Sequence, residues 1–194
     1  MFKSQLQQKQ YQLVSLNESH ASGLKLAAQN PALWPLIQPK DQGFDAFWDG
    51  YYSAMKTGHE NADPFAYLVL DTAGTVVGST RYYDISAPNK RLAIGYTWYK
   101  EALWGTGINA ECKYMLLSQT FDTLGWNRVE FHVDSRNKRS LAAMKKLGAT
   151  EEGLLRKHKI VQGDYLRDTV ILSIIQDDWP QVKHGLLGRM EEKS

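Results

Sequence analysis

The chain of 194 residues carries 43% hydrophobic and 23% charged side chains and a formal net charge of +2. That length and balance suit one domain able to bury its own core, and so small a charge argues against a nucleic-acid surface, which needs clustered basic residues. The lone cysteine, Cys112, excludes an internal disulfide; without a signal-like apolar run at Met1–Gln8 or the roughly 18 apolar residues of a membrane span, a cytoplasmic setting with no membrane partner is expected.

Residues 10–16 alternate like a short strand, and Asn17 is placed to cap a helix reaching about Asn30. Pro31, Pro35 and Pro39 then interrupt the chain. A second helix is predicted over 43–58, where Phe44, Phe47, Trp48, Tyr51, Tyr52 and Met55 recur at helical spacing. That aromatic face fits core packing, the wall of a substrate cleft or a homodimer contact. Residues 64–72, 75–84 and 91–99 then read as three strands of an antiparallel meander. A helix over 107–124, a strand over 128–134 and a helix closing on Leu147-Gly148 follow. Two last strands, 154–161 and 165–175, are joined by Gln162-Gly163-Asp164. This order predicts an α/β architecture, a mixed sheet with helices on both faces.

One segment carries the chemistry. After the strand ending at Trp98-Tyr99 comes Trp104-Gly105-Thr106-Gly107-Ile108-Asn109-Ala110, a glycine loop opening a helix. Backbone N–H groups at a helix start have no intrahelical partner, and the helix dipole adds positive potential, so the loop suits a phosphate or pyrophosphate. Three readings compete. A Walker A loop fails because no Gly-Lys-Ser/Thr follows. Gly105-x-Gly107-x-x-Ala110 matches a dinucleotide fingerprint, with Glu130 about 20 residues on. Five residues separate its strand from its first glycine, however, and that strand belongs to a meander.

The third reading is a resemblance. Gly105–Ala110 is similar to the acetyl-CoA pyrophosphate loop of the GNAT (GCN5-related N-acetyltransferase) superfamily, whose pattern is Gln/Arg-x-x-Gly-x-Gly/Ala. Gly107 matches its first glycine, while Trp104 and Asn109 depart at the outer positions. Asn137-Lys138-Arg139-Ser140 leading to Leu147-Gly148-Ala149 resembles the family's Asn-x-x-Ser…Leu-Gly-Phe helix, in which the Asn and Ser lie against the pantetheine arm. Glu152–Arg156 and Gly163–Asp168 resemble the branch of ribosomal-protein N-terminal (alanine/serine) acetyltransferases. The likeness spans about residues 8–178 of one domain, with a tail from about 179.

The resemblance implies the acyl-CoA N-acyltransferase fold, a mostly antiparallel sheet whose central parallel strands, 91–99 and 128–134, splay to admit the pantetheine arm. It implies acetyl-CoA as co-substrate, held by the backbones of Trp98 and Tyr99, by Trp104 through Ala110, and by Asn137 and Ser140, with no metal. A primary amine, a protein N-terminus or a small molecule, attacks the thioester directly. By analogy with the branch, Ser140 faces the leaving sulfur. An acidic base is expected near 160, yet Lys159 stands there; His158 beside it and His132 in the 128–134 strand are the candidates for proton transfer, and Glu101 is a further one at the cleft mouth. His20, His59 and His184 read as surface residues, and the histidines have no metal-ligand spacing. Two alternatives stay open: a non-catalytic CoA-binding or regulatory module, motivated by Trp104, Asn109 and the lack of a conventional base, and an NAD-binding oxidoreductase.

Overall fold

The computed structural model describes residues 2–192. Eight strands form one sheet in the order β1-β2-β3-β4-β5-β6-β8-β7. In chain order the elements are β1 (Gln5–Gln7), β2 (Tyr11–Ser15), α1 (Ala21–Ala28), α2 (Phe44–Glu60), β3 (Phe65–Asp71), β4 (Val76–Ser86), β5 (Arg91–Tyr99), α3 (Ile108–Ser118), β6 (Arg128–Asp134), α4 (Lys138–Leu147), β7 (Thr150–Val161), β8 (Tyr165–Ile175) and α5 (Trp179–Glu191). Neighbouring strands pair antiparallel except β5 with β6. The strand β1 was not foreseen; it is three residues long, and Leu6 is its one apolar side chain.

The sheet separates two cores. On one face Leu92 and Ile94 of β5, and Val129, Phe131 and Val133 of β6, pack with Cys112, Leu116 and Leu117 of α3 and with Trp179, Val182 and Leu186 of α5. On the other, Leu24, Ala27 and Ala28 of α1 and Trp48 and Met55 of α2 meet Ala66, Leu68, Val76 and Trp98. Strand alternation produces this division, since residues two apart share a face. It therefore sends Glu130 and His132 away from the apolar side of β6. Within the aromatic run of α2, Trp48 and Met55 are buried while Phe44, Phe47, Tyr51 and Tyr52 are half-buried. That face is core packing along most of its length.

Helix ends follow their chemistry. The Asn137 side chain accepts from the Ser140 N–H at 3.0 Å and starts α4; Gly148, with φ of 99°, closes it. The helix α3 runs on through a π-type turn over Gln119–Thr123.

Candidate active site

The strand β5 touches β6 only from Arg91 to Ala93, opposite Arg128 to Glu130. Beyond that the strands part. A bulge sits at the point of divergence: Thr80 of β4 faces both Tyr96 and Thr97 of β5, and Tyr96 takes φ of 51°. Bulges bend a strand and increase its local twist, which turns the end of β5 off its neighbour. The gap opens at the C-terminal ends of both strands, where α3 and α4 begin. Lys100 N–H donates to the Val77 carbonyl at 2.8 Å. Successive strand amides point in opposite directions, so the Tyr99 N–H faces the gap and the Trp98 backbone faces β4.

At the mouth of this gap lies the glycine loop. Gly105 (φ 81°) and Gly107 (φ 106°) adopt the left-handed conformation that glycine tolerates without penalty, and a Cβ at Gly105 would meet nothing within 4 Å. The N–H groups of Ala110 and Glu111 donate to the Gly107 carbonyl at 2.8 and 3.2 Å. Those of Ile108 and Asn109, ahead of them, have no carbonyl one turn back. The Thr106 hydroxyl donates to the Leu103 carbonyl at 2.8 Å. Asn109 Oδ1 accepts from the Tyr99 hydroxyl at 3.3 Å, which ties the first turn of α3 to β5. The Trp104 indole donates to the Tyr99 carbonyl at 3.1 Å, and the Arg139 guanidinium of α4 lies 3.7 Å from its ring centroid. Arg139 thus brings a cation to the loop where the family pattern expects Gln or Arg at position 104. The sequence reading missed it because the charge comes from another helix.

Ser140 occupies the first turn of α4 at the same open end; its N–H caps on Asn137, and its hydroxyl makes no hydrogen bond among the described residues. His132 is half-buried in β6, its Nε2 2.8 Å from Glu130 Oε2. Burial pushes the Glu130 carboxyl up, but hydrogen bonds from Arg128 and His132 hold it below the ordinary carboxylate range. Glu130 is therefore a carboxylate at neutral pH, aimed at an imidazole beside the diverging strands. Burial, the positive charge of Lys159, and His132 and Arg167 lower the His158 pKa. His158 is exposed on the edge strand β7. Glu101 is also exposed, accepting from Asn30 Nδ2 at 2.6 Å. His59 departs from its expected surface role: it is half-buried, accepts from the Ala66 N–H at 3.1 Å and packs on Phe65.

The fold also gathers Asp84, Glu130 and His132, with one ligand-type atom from each within 4.8 Å of the others. Linear spacing hid this set because two strands supply it. Its carboxylates are already engaged, Asp84 by Arg91 at 3.0 Å and Glu130 by Arg128 at 2.8 Å.

A second group went unnoticed in the sequence. Arg81 of β4 is 3% exposed, its guanidinium lying 4.5 Å from the Tyr51 ring centroid and 4.6 Å from that of Tyr96. Its Nε and Nη2 are buried without a hydrogen-bond partner, as are the Tyr51 hydroxyl and the Trp98 indole N–H. Trp34 joins them, with centroids 5.1 Å from Tyr51 and 5.5 Å from Trp98. Cation–π contacts supply about 0.5–2 kcal/mol, whereas burying an unpaired ion costs several kcal/mol. A lone arginine in a strand gave no sign of this; only the packing of α2 over β4 and β5 buries it.

A bulged strand parting from its parallel neighbour, with a glycine loop and two helix starts at the opening, defines an acyl-CoA-type cleft. The family model described as an acetyltransferase (GNAT) domain matches residues 12–150, and the chain belongs to that family. It is 29% identical over 118 residues to the uncharacterized N-acetyltransferase p20 of Bacillus licheniformis, covering 61% of this chain and 65% of that one. It is 28% identical over 106 residues to YdaF of Bacillus subtilis (strain 168), provisionally named a ribosomal N-acetyltransferase, covering 55% and 57%. The matches thus span somewhat under two thirds of these curated relatives. A crystal structure of a provisionally named acetyltransferase from T. thermophilus superposes with a TM-score of 0.84 at 26% identity, covering 98% of each chain. The dinucleotide reading loses its basis: β5 sits in an antiparallel meander with one parallel neighbour, and a 3-10 turn over Glu101–Leu103 intervenes before Gly105. Among the described residues no helix is long and apolar enough to cross a membrane.

Proposed function

We propose that this protein transfers the acetyl group of acetyl-CoA to a primary amine. The observation that carries the reading is the opening of β5 from β6 beyond Ala93 and Glu130, at the end where Gly105 and Gly107 lead into α3. The amides of Ile108 and Asn109, with Arg139 nearby, suit the pyrophosphate; the Tyr99 N–H suits the pantetheine arm or the thioester oxygen. Asn137 and Ser140 flank the arm from α4.

The amine must lose a proton to attack, since an amine with a pKa near 10 is mostly charged at neutral pH. His132, oriented by the Glu130 carboxylate, is positioned to take that proton directly or through a water. The C–N bond forms as the C–S bond breaks, and the Ser140 hydroxyl is placed to hydrogen-bond the departing thiolate. His158, exposed on β7, is the weaker candidate for the base. The relative named for ribosomal acetylation supports a protein amine as the acceptor class; a small-molecule amine is the alternative. A lone buried thiol at Cys112 fits a cytoplasmic enzyme. Apolar side chains exposed along β7 and β8, among them Leu154 (50%) and Ile160 (67%), support self-association into a homodimer.

Thermal unfolding with saturating acetyl-CoA, CoA and NAD, each alone, tests the reading. Both CoA species are expected to raise Tm and NAD to leave it unchanged. A shift with CoA but no thiol release with any amine would favour the non-catalytic module; no shift with either CoA species would overturn the proposal.

A further inference from the structure

We propose that Arg81 is the receptor for a carboxylate carried by the acceptor, so that the preferred amine substrate is an anionic one. This rests on the acetyltransferase reading above and names the substrate class for the same cleft. Stacking on Tyr51 and Tyr96 covers the guanidinium without neutralising it, and no described acidic residue forms an ion pair with it. Nε and Nη2 are the side-on edge of the guanidinium fork, the pair of parallel N–H donors that matches the two oxygens of a carboxylate. Two further donors without partners, the Tyr51 hydroxyl and the Trp98 indole N–H, belong to the same aromatic cluster, so the cluster is rich in donors and short of an acceptor.

Position favours the acceptor side of the reaction. Arg81 pairs with Gly95, immediately before the bulge that opens the cleft. Arg81 and Tyr83 share one face of β4. The Tyr96 ring meets Arg81 on one side and lies 5.3 Å from the Tyr83 ring, which lies 5.6 Å from His132. A continuous aromatic path thus leads from the unpaired cation to the imidazole placed to deprotonate the amine. Tyr96, 49% exposed, is the outer cover of the guanidinium, and entry of a ligand requires its ring to swing aside. A free amino acid and a peptide N-terminus with a nearby Asp or Glu both present this chemistry.

The test is a set of matched acceptors differing only in charge: free amino acids against their carboxamides, and N-terminal peptides with Asp or Glu at the second or third position against Asn or Gln. Wild-type protein is expected to favour the carboxylate member of one set by at least about thirtyfold in kcat/KM, and the set showing the preference identifies the source. Arg81→Gln is expected to abolish that preference and Arg81→Lys to keep part of it, while acetyl-CoA still raises Tm. Should Arg81→Gln not fold, Tyr51→Phe removes one donor and keeps the ring; it is expected to lower the preference severalfold. Equal rates for charged and neutral twins, or a preference that survives both Arg81→Gln and Tyr51→Phe, would overturn the inference while the acetyl-CoA shift upholds the parent reading. Absence of that shift would overturn both.

Discussion

Gly107, with φ of 106°, has a backbone that only glycine adopts freely, at the head of α3 where the proposed pyrophosphate site lies. Gly107→Asp adds roughly 1–2 kcal/mol of left-handed strain and sets a carboxylate against the phosphates. The expected result is a Tm lower by a few degrees and a much larger loss of CoA affinity, read by calorimetry. Lys113 and Cys112, side by side in the core, make a second residue-scale case. Burial lowers the Lys113 pKa to about 8 and raises that of Cys112 to about 12. Above pH 8 the folded lysine is neutral while the unfolded one still holds its proton, so stability rises with pH. Above pH 9 the unfolded thiol ionises while the folded one does not, and this opposes the rise. Chemical denaturation from pH 7 to 10 is expected to show a gain up to about pH 9 that then levels off. Lys113→Met removes the gain, and Cys112→Ala extends it.

At the scale of elements, α4 contributes to stability and, in the proposed reading, to the site. Its Asn137 cap satisfies the Ser140 N–H, and the turn so fixed carries Arg139 onto Trp104. Asn137→Ala is expected to cost about 1 kcal/mol, the usual value of an N-cap, and to raise the KM for acetyl-CoA as well. Asn137→Asp restores the cap, so denaturant melts and kinetics of the two variants separate capping from ligand contact. The element boundaries were legible where local chemistry sets them: 91–99, 128–134 and 165–175 match β5, β6 and β8, and Gly148 ends α4. β7 begins at Thr150 rather than 154, because pairing with β8 draws in Thr150–Gly153, a stretch with little strand character of its own.

On the scale of the molecule, α5 closes the apolar face of the sheet. Trp179 is 5% exposed, stacks on Phe121 at 5.5 Å and donates its indole N–H to Asp122 Oδ1 at 2.7 Å. Trp179→Ala leaves a cavity and an unpaired carboxylate oxygen, and is expected to destabilise the fold by roughly 3–5 kcal/mol. That is a Tm loss on the order of 10 °C, measurable by calorimetry, with acetyl-CoA recovering part of it by binding only the folded form.

The sequence by itself determined the strand and helix order, the glycine loop opening α3 and the Asn137–Ser140 helix start, because turns, caps and alternation act over a few neighbouring residues. Tertiary structure alone decided which side chains meet. It brought Arg139 across the gap to Trp104 and closed Tyr51 and Tyr96 over Arg81, whereas Glu130 and His132, two apart on one strand, meet by alternation. Most of these partners come from elements far apart in the chain, and their contacts depend on one bulge and one helix packing angle. Nothing in a local window of residues encodes either.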